Sequence, residues 1–243
     1  MTVFLTSSPT GPLDGSRPVD GLDDQNRFAE NLRSRWPEAA RCLYITASPE
    51  AYGENDWIRE SMAAVFARRG MTLGFFDVWD DRREDLSARE LHDYEVLILG
   101  GGHVPTQNAF FQRISLREKL AGFRGLVIGI SAGTMNAARR VYAQPEEPGE
   151  SVDPDYRRFL EGLGLTEINV LPHYQMVKDF TLDGKRLFED ITYADSWGET
   201  FWALPDGSYL LIEGGRTLLF GEAYRLSDGS MEKINEDGQI AEL

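Results

Sequence analysis

The chain has 243 residues, of which 42% are hydrophobic and 27% charged, an ordinary balance for a folded protein and one that argues against long disorder. Its 25 Lys and Arg stand against 40 Asp and Glu, a formal net charge of −15. Such a surface repels phosphate backbones and anionic lipid, so neither nucleic acid nor a membrane surface is expected as a partner.

Cys42, the single cysteine, leaves no internal disulfide and no Cys-rich zinc site, and it reads as a small core residue on a strand. The longest apolar runs, Val96–Leu99 and Leu126–Ile130, fall far short of the ~18 residues of a membrane span. Met1–Thr6 lacks the positive and extended apolar regions of a signal peptide. The expectation is a cytoplasmic protein with one domain over residues 1–243.

Short apolar runs alternate with longer amphipathic stretches in the manner of strand–helix units. In chain order the pattern predicts strand Val3–Thr6, helix Asp23–Arg35, strand Cys42–Thr46, helix Asn55–Arg69, strand Thr72–Val78 and helix Ala88–Tyr94. It continues with strand Glu95–Leu99, helix Thr106–Ala121, strand Gly125–Ile130, helix Ala132–Tyr142, strand Ile168–Leu171 and helix Asp183–Thr192. In the second helix Trp57, Met62, Ala63, Val65 and Phe66 form an apolar face, and Gly70 supplies the stop. Past residue 199 the pattern becomes strands Thr200–Leu204, Tyr209–Ile212 and Thr217–Phe220, with Asp206-Gly207 and Gly214-Gly215 read as hairpin turns. A further turn at Ser227–Ser230 and another at Glu236–Gly238 precede a short last strand. Ser8–Asp24 and Gln144–Pro154 are loops rich in Pro, Gly and acidic residues. The fold class is α/β, a mainly parallel sheet with helices on both faces and C-terminal β-hairpins.

The sharpest motif is Gly129-Ile130-Ser131-Ala132-Gly133, a G-x-S-x-G set between an apolar strand and a helix-forming run. A strand turning abruptly into a helix strains its middle residue and exposes that side chain, while the flanking glycines permit the close packing. Ser131 is therefore the candidate nucleophile, and the Ala132 amide a candidate oxyanion donor. Gly100-Gly101-Gly102 lacks the Lys of a phosphate-binding loop and is read as a close approach to the nucleophile, with Gly102 as the second donor. Of the three histidines, His92 falls on a charged helix end and reads as surface. His103 and His173 follow predicted strands, at the edge where ligands of parallel sheets bind. His173 is the candidate base, and His103 is expected to line the site. Two acids compete to orient the imidazole: Asp206 after a strand, and Glu146 in the loop behind the nucleophile helix. The motif analysis leaves that choice open, and it calls for no metal or cofactor.

Gly100–Gly102, Gly129–Gly133, Leu171-Pro172-His173-Tyr174 and Leu204-Pro205-Asp206-Gly207, in this order and approximate spacing, resemble the aspartyl dipeptidase (peptidase E) and cyanophycinase family of serine peptidases. The likeness runs from about residue 41 to the C-terminus. The segment from Val141–Glu147 through Gly184-Lys185-Arg186 resembles a bacterial peptidase-E-like branch. The resemblance implies a fold like that of class I glutamine amidotransferases, a Ser–His–acid triad and no metal. Within the family the acid has been placed at either position, here Asp206 or Glu146; a strand end holds geometry better than a loop and favours Asp206.

Aspartyl dipeptidases carry an arginine shortly after the histidine to bind the acidic side chain. Here Asp183 falls near that place, with Lys185 and Arg186 just beyond as substitute cations for substrate binding, and His103 replaces the family's usual asparagine. The implied activity is hydrolysis of a small amide, the N-terminal peptide bond of short peptides. Alternatives are an isoaspartyl or cyanophycin-type amide hydrolase, or a catalytically silent binding protein on the same scaffold. The expected partner is a small peptide, and a homodimer is compatible with the sequence. Trp197 and Trp202 are read as core residues, with an interface as the alternative.

Overall fold

The computed structural model describes residues 1–12 and 21–243, so residues 13–20 of the expected loop Ser8–Asp24 lie outside the described residues. Its main body is an eight-stranded sheet. In chain order the first elements are β1 (Thr2–Thr6), α1 (Phe28–Arg33), β2 (Ala40–Ile45), α2 (Tyr52–Arg68), β3 (Leu73–Trp79), α3 (Ala88–His92) and β4 (Val96–Leu99). They are followed by α4 (Val104–Arg113), α5 (Leu116–Lys119), β5 (Leu126–Ile130) and α6 (Ala132–Asn136). Strands β1, β5, β4, β2 and β3 lie side by side in that order, all parallel.

Alternation along these strands builds two cores, because successive side chains point to opposite faces. Val3, Leu5, Leu43, Leu97, Leu99 and Val127 face one side, where Leu91 of α3, Phe110 and Phe111 of α4 and Leu116 of α5 cover them. Phe4, Cys42, Tyr44, Val96, Ile98 and Ile128 face the other, under Phe28 and Leu32 of α1 and Phe66 of α2. Helices thus cover both faces, and Cys42 sits in the core as expected, its thiol pushed up to about 12 by burial.

The remaining elements are β6 (Arg140–Tyr142), β7 (Phe159–Glu161), β8 (Asn169–Leu171), α7 (Tyr174–Val177), β9 (Thr181–Leu182), β10 (Lys185–Arg186) and α8 (Tyr193–Asp195). After them come β11 (Thr200–Ala203), β12 (Tyr209–Glu213), β13 (Arg216–Phe220), β14 (Ala223–Ser227), β15 (Ser230–Asn235) and β16 (Ile240–Glu242). β12, β13 and β16 extend the main sheet antiparallel beyond β1. β8, β11, β14 and β15 form a separate four-stranded sheet. Its core includes Leu171, Phe201 and Leu226 packed with Ala132 and Met135 of α6, and Tyr142 stacks on Phe201 at 4.3 Å.

Several details depart from the sequence expectations. The strand at Ile168–Leu171 belongs to the second sheet, since an apolar run shows burial but not its partner. Asp206-Gly207 is not a hairpin turn: it carries the chain from β11 in one sheet to β12 in the other. The expected helix Thr106–Ala121 breaks at Ser115, whose φ is 49°. Helix α6 stops at Asn136, whose buried amide donates to the Val104 carbonyl and Gln107 Oε1, and Val141 and Tyr142 continue as strand β6.

Finally, the first part of the expected helix Asp183–Thr192 is the β9–β10 hairpin, turned by Asp183-Gly184 with both φ angles positive. Only Leu187–Thr192 is helical, as one wide π-type stretch. Trp57 and Trp197 are 66% and 70% exposed, against the core roles expected, whereas Trp202 packs on the first core. Among the described residues no helix is long and apolar enough to cross a membrane.

Candidate active site

Ser131 follows β5 directly and has φ 49° and ψ −111°, a conformation L residues rarely adopt and one held by its surroundings. Its amide donates to the Thr6 carbonyl of β1 at 3.0 Å, and Thr134 Oγ1 donates to the same oxygen at 2.8 Å. The glycines of the motif are steric requirements. A Cβ on Gly133 would run into the Leu99 carbonyl of β4, and one on Gly129 would meet Leu5 and the Gly133 carbonyl.

Gly100–Gly102 passes close by, with Gly101 so near that a Cβ there would lie 3.4 Å from that of Ser131. Gly102 has φ 142°, and a side chain there would press on Ala47 Cβ at 2.7 Å. Among the described residues the amides of Gly102 and Ala132 donate to no other group.

His173 follows β8 and α7 begins after it, with φ 57° placing it in the left-handed region. Its amide donates to Ser7 Oγ at 3.2 Å, and Ser7 Oγ donates to the Leu204 carbonyl at 3.1 Å. One buried hydroxyl thereby ties the end of β1 to the segments that carry His173 and Asp206. His173 Nδ1 lies 2.7 Å from Asp206 Oδ1 and Nε2 lies 2.9 Å from Ser131 Oγ. A carboxylate only accepts, so Nδ1 carries the proton and Nε2 is left to accept from the serine hydroxyl. The Asp206 side chain is wholly buried. Gln175 holds it twice, Nε2 donating to Oδ2 at 2.7 Å and Oε1 accepting the Asp206 amide at 2.9 Å. A hydroxyl, imidazole and carboxylate in this order is the arrangement that makes a serine nucleophilic.

The two acids left open by the sequence are separated by this geometry. Asp206 is bonded to His173, whereas Glu146 Oε1 accepts the Val104 amide at 2.9 Å. Glu146 is exposed as a residue, yet its carboxyl is partly taken out of water where it meets Val104. Desolvation there raises its pKa, with Glu150 and Glu147 adding to the rise and the Val104 amide and His103 opposing it.

The cavity at Ser131 and His173 has a volume of about 290 Å³ and also touches Gly102, Val104, Met135, Gln144, Glu146, Met176, Val177, Phe180 and Leu187. The three expected substrate-binding residues are not among those that line it. His103 is turned to Glu150 Oε1 at 2.8 Å and Thr106 Oγ1 at 2.7 Å. Lys185 Nζ donates to the Ser151 carbonyl at 2.9 Å, and Arg186 pairs with Asp190. Lys185 and Arg186 sit on the β9–β10 hairpin, in place of the helix expected there.

His103, Glu147 and Glu150 bring three ligand-type atoms within 4.8 Å of one another, although His103 and Glu150 already satisfy each other. Asp183, near the family's arginine position, caps the amides of Gly149 and Ser151. Gln175 and Ser7 were missed by sequence reasoning. Gln175 lies two residues after the histidine, the only signal it gave, and Ser7 gave none beyond following the first strand.

The model of peptidase family S51 matches residues 20–220, and the chain belongs to that family, whose members are serine-type peptidases. A 1.5 Å crystal structure of a "Putative Peptidase E Protein from Listeria monocytogenes EGD-e" is similar with a TM-score of 0.56 at 14% identity. The alignment covers 96% of this chain and 98% of that one, so the two share a peptidase-E-like fold. No curated protein matches the sequence.

Proposed function

We propose that this S51 peptidase hydrolyses the N-terminal peptide bond of short peptides through an acyl-enzyme on Ser131. The observation that carries the proposal is the unbroken hydrogen-bonded line from Ser131 Oγ through His173 to the buried carboxylate of Asp206. Ser131 attacks the carbonyl carbon while His173 Nε2 takes its proton, and Asp206 stabilises the imidazolium that forms. The amides of Gly102 and Ala132 receive the oxyanion, each donor worth about 3 kcal/mol of barrier. His173 then gives its proton to the leaving amine, and a water activated by the same imidazole releases the acid. A small cavity suits a short substrate better than an extended chain.

The silent-scaffold alternative is disfavoured by the same line of hydrogen bonds, since a retired site has no need to keep the imidazole aligned on a strained serine. An isoaspartyl or cyanophycin-type amide would use the same residues and differ only in the cavity.

The test is hydrolysis of a mass-resolved set of dipeptides and isoaspartyl dipeptides. Ser131→Ala is expected to remove turnover by at least ~10⁴-fold while leaving the fold intact. A variant that keeps a tenth of the activity overturns the assignment.

A further inference from the structure

The wall of the cavity beside Ser131 is apolar, formed chiefly by Val104, Met135, Met176, Val177, Phe180 and Leu187. Among the described residues, Glu146 is the only ionisable residue besides His173 that lines it, and its carboxyl is held by the Val104 amide of the same wall. Among the described residues no lysine or arginine lines it: of those next to its lining residues in sequence, Lys178 is exposed beyond Val177, Lys185 donates to the Ser151 carbonyl and Arg186 pairs with Asp190. Resting on the hydrolase reading above, we infer that this cavity selects substrates whose entering side chain is apolar, and that Glu146 is the specificity residue that turns acidic side chains away.

The argument is one of solvation and sign. An aspartyl or glutamyl side chain entering this space would leave water and meet no cation in return, and it would approach a fixed carboxylate. A leucyl or methionyl side chain gains contact with the aliphatic wall, and two flexible methionines, Met135 and Met176, can follow its shape. At about 290 Å³ the cavity lies at the small end of ligand sites, so it takes one side chain and its backbone. Glu146 is anchored where it can act: the Val104 amide holds Oε1, and its own amide donates to Glu150 Oε2 at 2.9 Å. Glu150 in turn is tied to His103, so the loop presents the carboxyl from a braced position.

The experiment separates selection from nucleophilicity. The purified protein is treated with aminoalkyl diphenyl phosphonates bearing Leu, Met, Asp or Lys side chains, and covalent labelling is followed by intact mass. A general fluorophosphonate serves as the reactivity control and Ser131→Ala as the blank. The Leu and Met probes are expected to label at least about tenfold faster than the Asp probe, a factor within reach of one pocket's discrimination. Glu146→Gln should narrow that gap by raising the Asp rate, with the Leu rate changed little.

Met176→Arg, which adds a cation to the wall, should favour the Asp probe further. Equal or faster labelling by the Asp probe in the native protein overturns the selection and leaves the hydrolase reading standing. A gap unchanged in both variants, with their melting temperatures preserved, removes Glu146 and the missing cation as its cause. No labelling of Ser131 by any probe overturns the hydrolase reading and this inference with it.

Discussion

The main sheet and the four-stranded sheet supply the same site by different physical means. Ser131 is placed locally: five consecutive residues, two of them glycines that a Cβ would force apart from Leu99 and Leu5, create the strained turn at the end of β5. His173 and Asp206 are placed by pairing at a distance. They follow β8 and β11, which run parallel with Phe201 opposite Asn169 and Ala203 opposite Leu171. The first arrangement is legible in any window that contains it. The second exists only when segments more than thirty residues apart have found their register, and Ser7 from the main sheet locks them to it.

The comparison is broken most severely at its long-range end. Asp206→Asn keeps the shape and the Gln175 contacts but removes the charge that fixes the His173 tautomer, and kcat should fall by about 10⁴-fold with the fold unchanged. The corresponding change Glu146→Gln should leave kcat on a preferred apolar substrate within about threefold, since the geometry routes no proton through it. Similar losses in the two variants would return the acid's role to the loop.

The local end is tested by Gly133→Ala. The added methyl collides with backbone rather than with a flexible side chain, and a loss of about 2–4 kcal/mol in urea unfolding is expected, with activity lost in the surviving folded fraction. A neutral effect would show that β4 and α6 can move apart and that the motif's glycines are not steric requirements.

The smallest effect sharpens the comparison inside the second region. Gln175→Ala removes a donor to the buried Asp206 carboxylate, and a hydrogen bond to a charged group is worth about 1.5 kcal/mol, roughly tenfold in rate. Because Gln175 acts through Asp206, kcat should fall at unchanged KM, and Gln175→Asn should recover less than half of the loss. A rise in KM at constant kcat would instead make Gln175 a substrate contact.

Most of the main sheet was legible because its strands are apolar on alternating faces and its helices carry stops such as Gly70, whose φ is 72°. The serine was legible for the same reason, since the constraint on it is written in its neighbours. What the sequence hid was partnership. Nothing in Val170-Leu171 distinguishes the edge of one sheet from the middle of another, and nothing in Asp206-Gly207 distinguishes a hairpin from a crossing between sheets. The choice between Asp206 and Glu146 was open for that reason. The hairpin that carries Lys185 and Arg186 was hidden because the turn signal Asp183-Gly184 lies among residues that also suit a helix. Gln175 was invisible because an amide that orients a carboxylate carries no pattern of its own.

The position of β1 has a consequence for how the protein comes into being. β1 lies between β5 and β12, with Val3 paired to Val127 on one side and to Ile212 on the other. During synthesis the first strand therefore waits for partners made much later, and contacts so distant in the chain close slowly. The strained serine is complete well before the segment that carries Asp206 has left the ribosome. A chain interrupted between them would hold a nucleophile with no aligned base, so the serine stays idle until the segment that carries Asp206 has joined it.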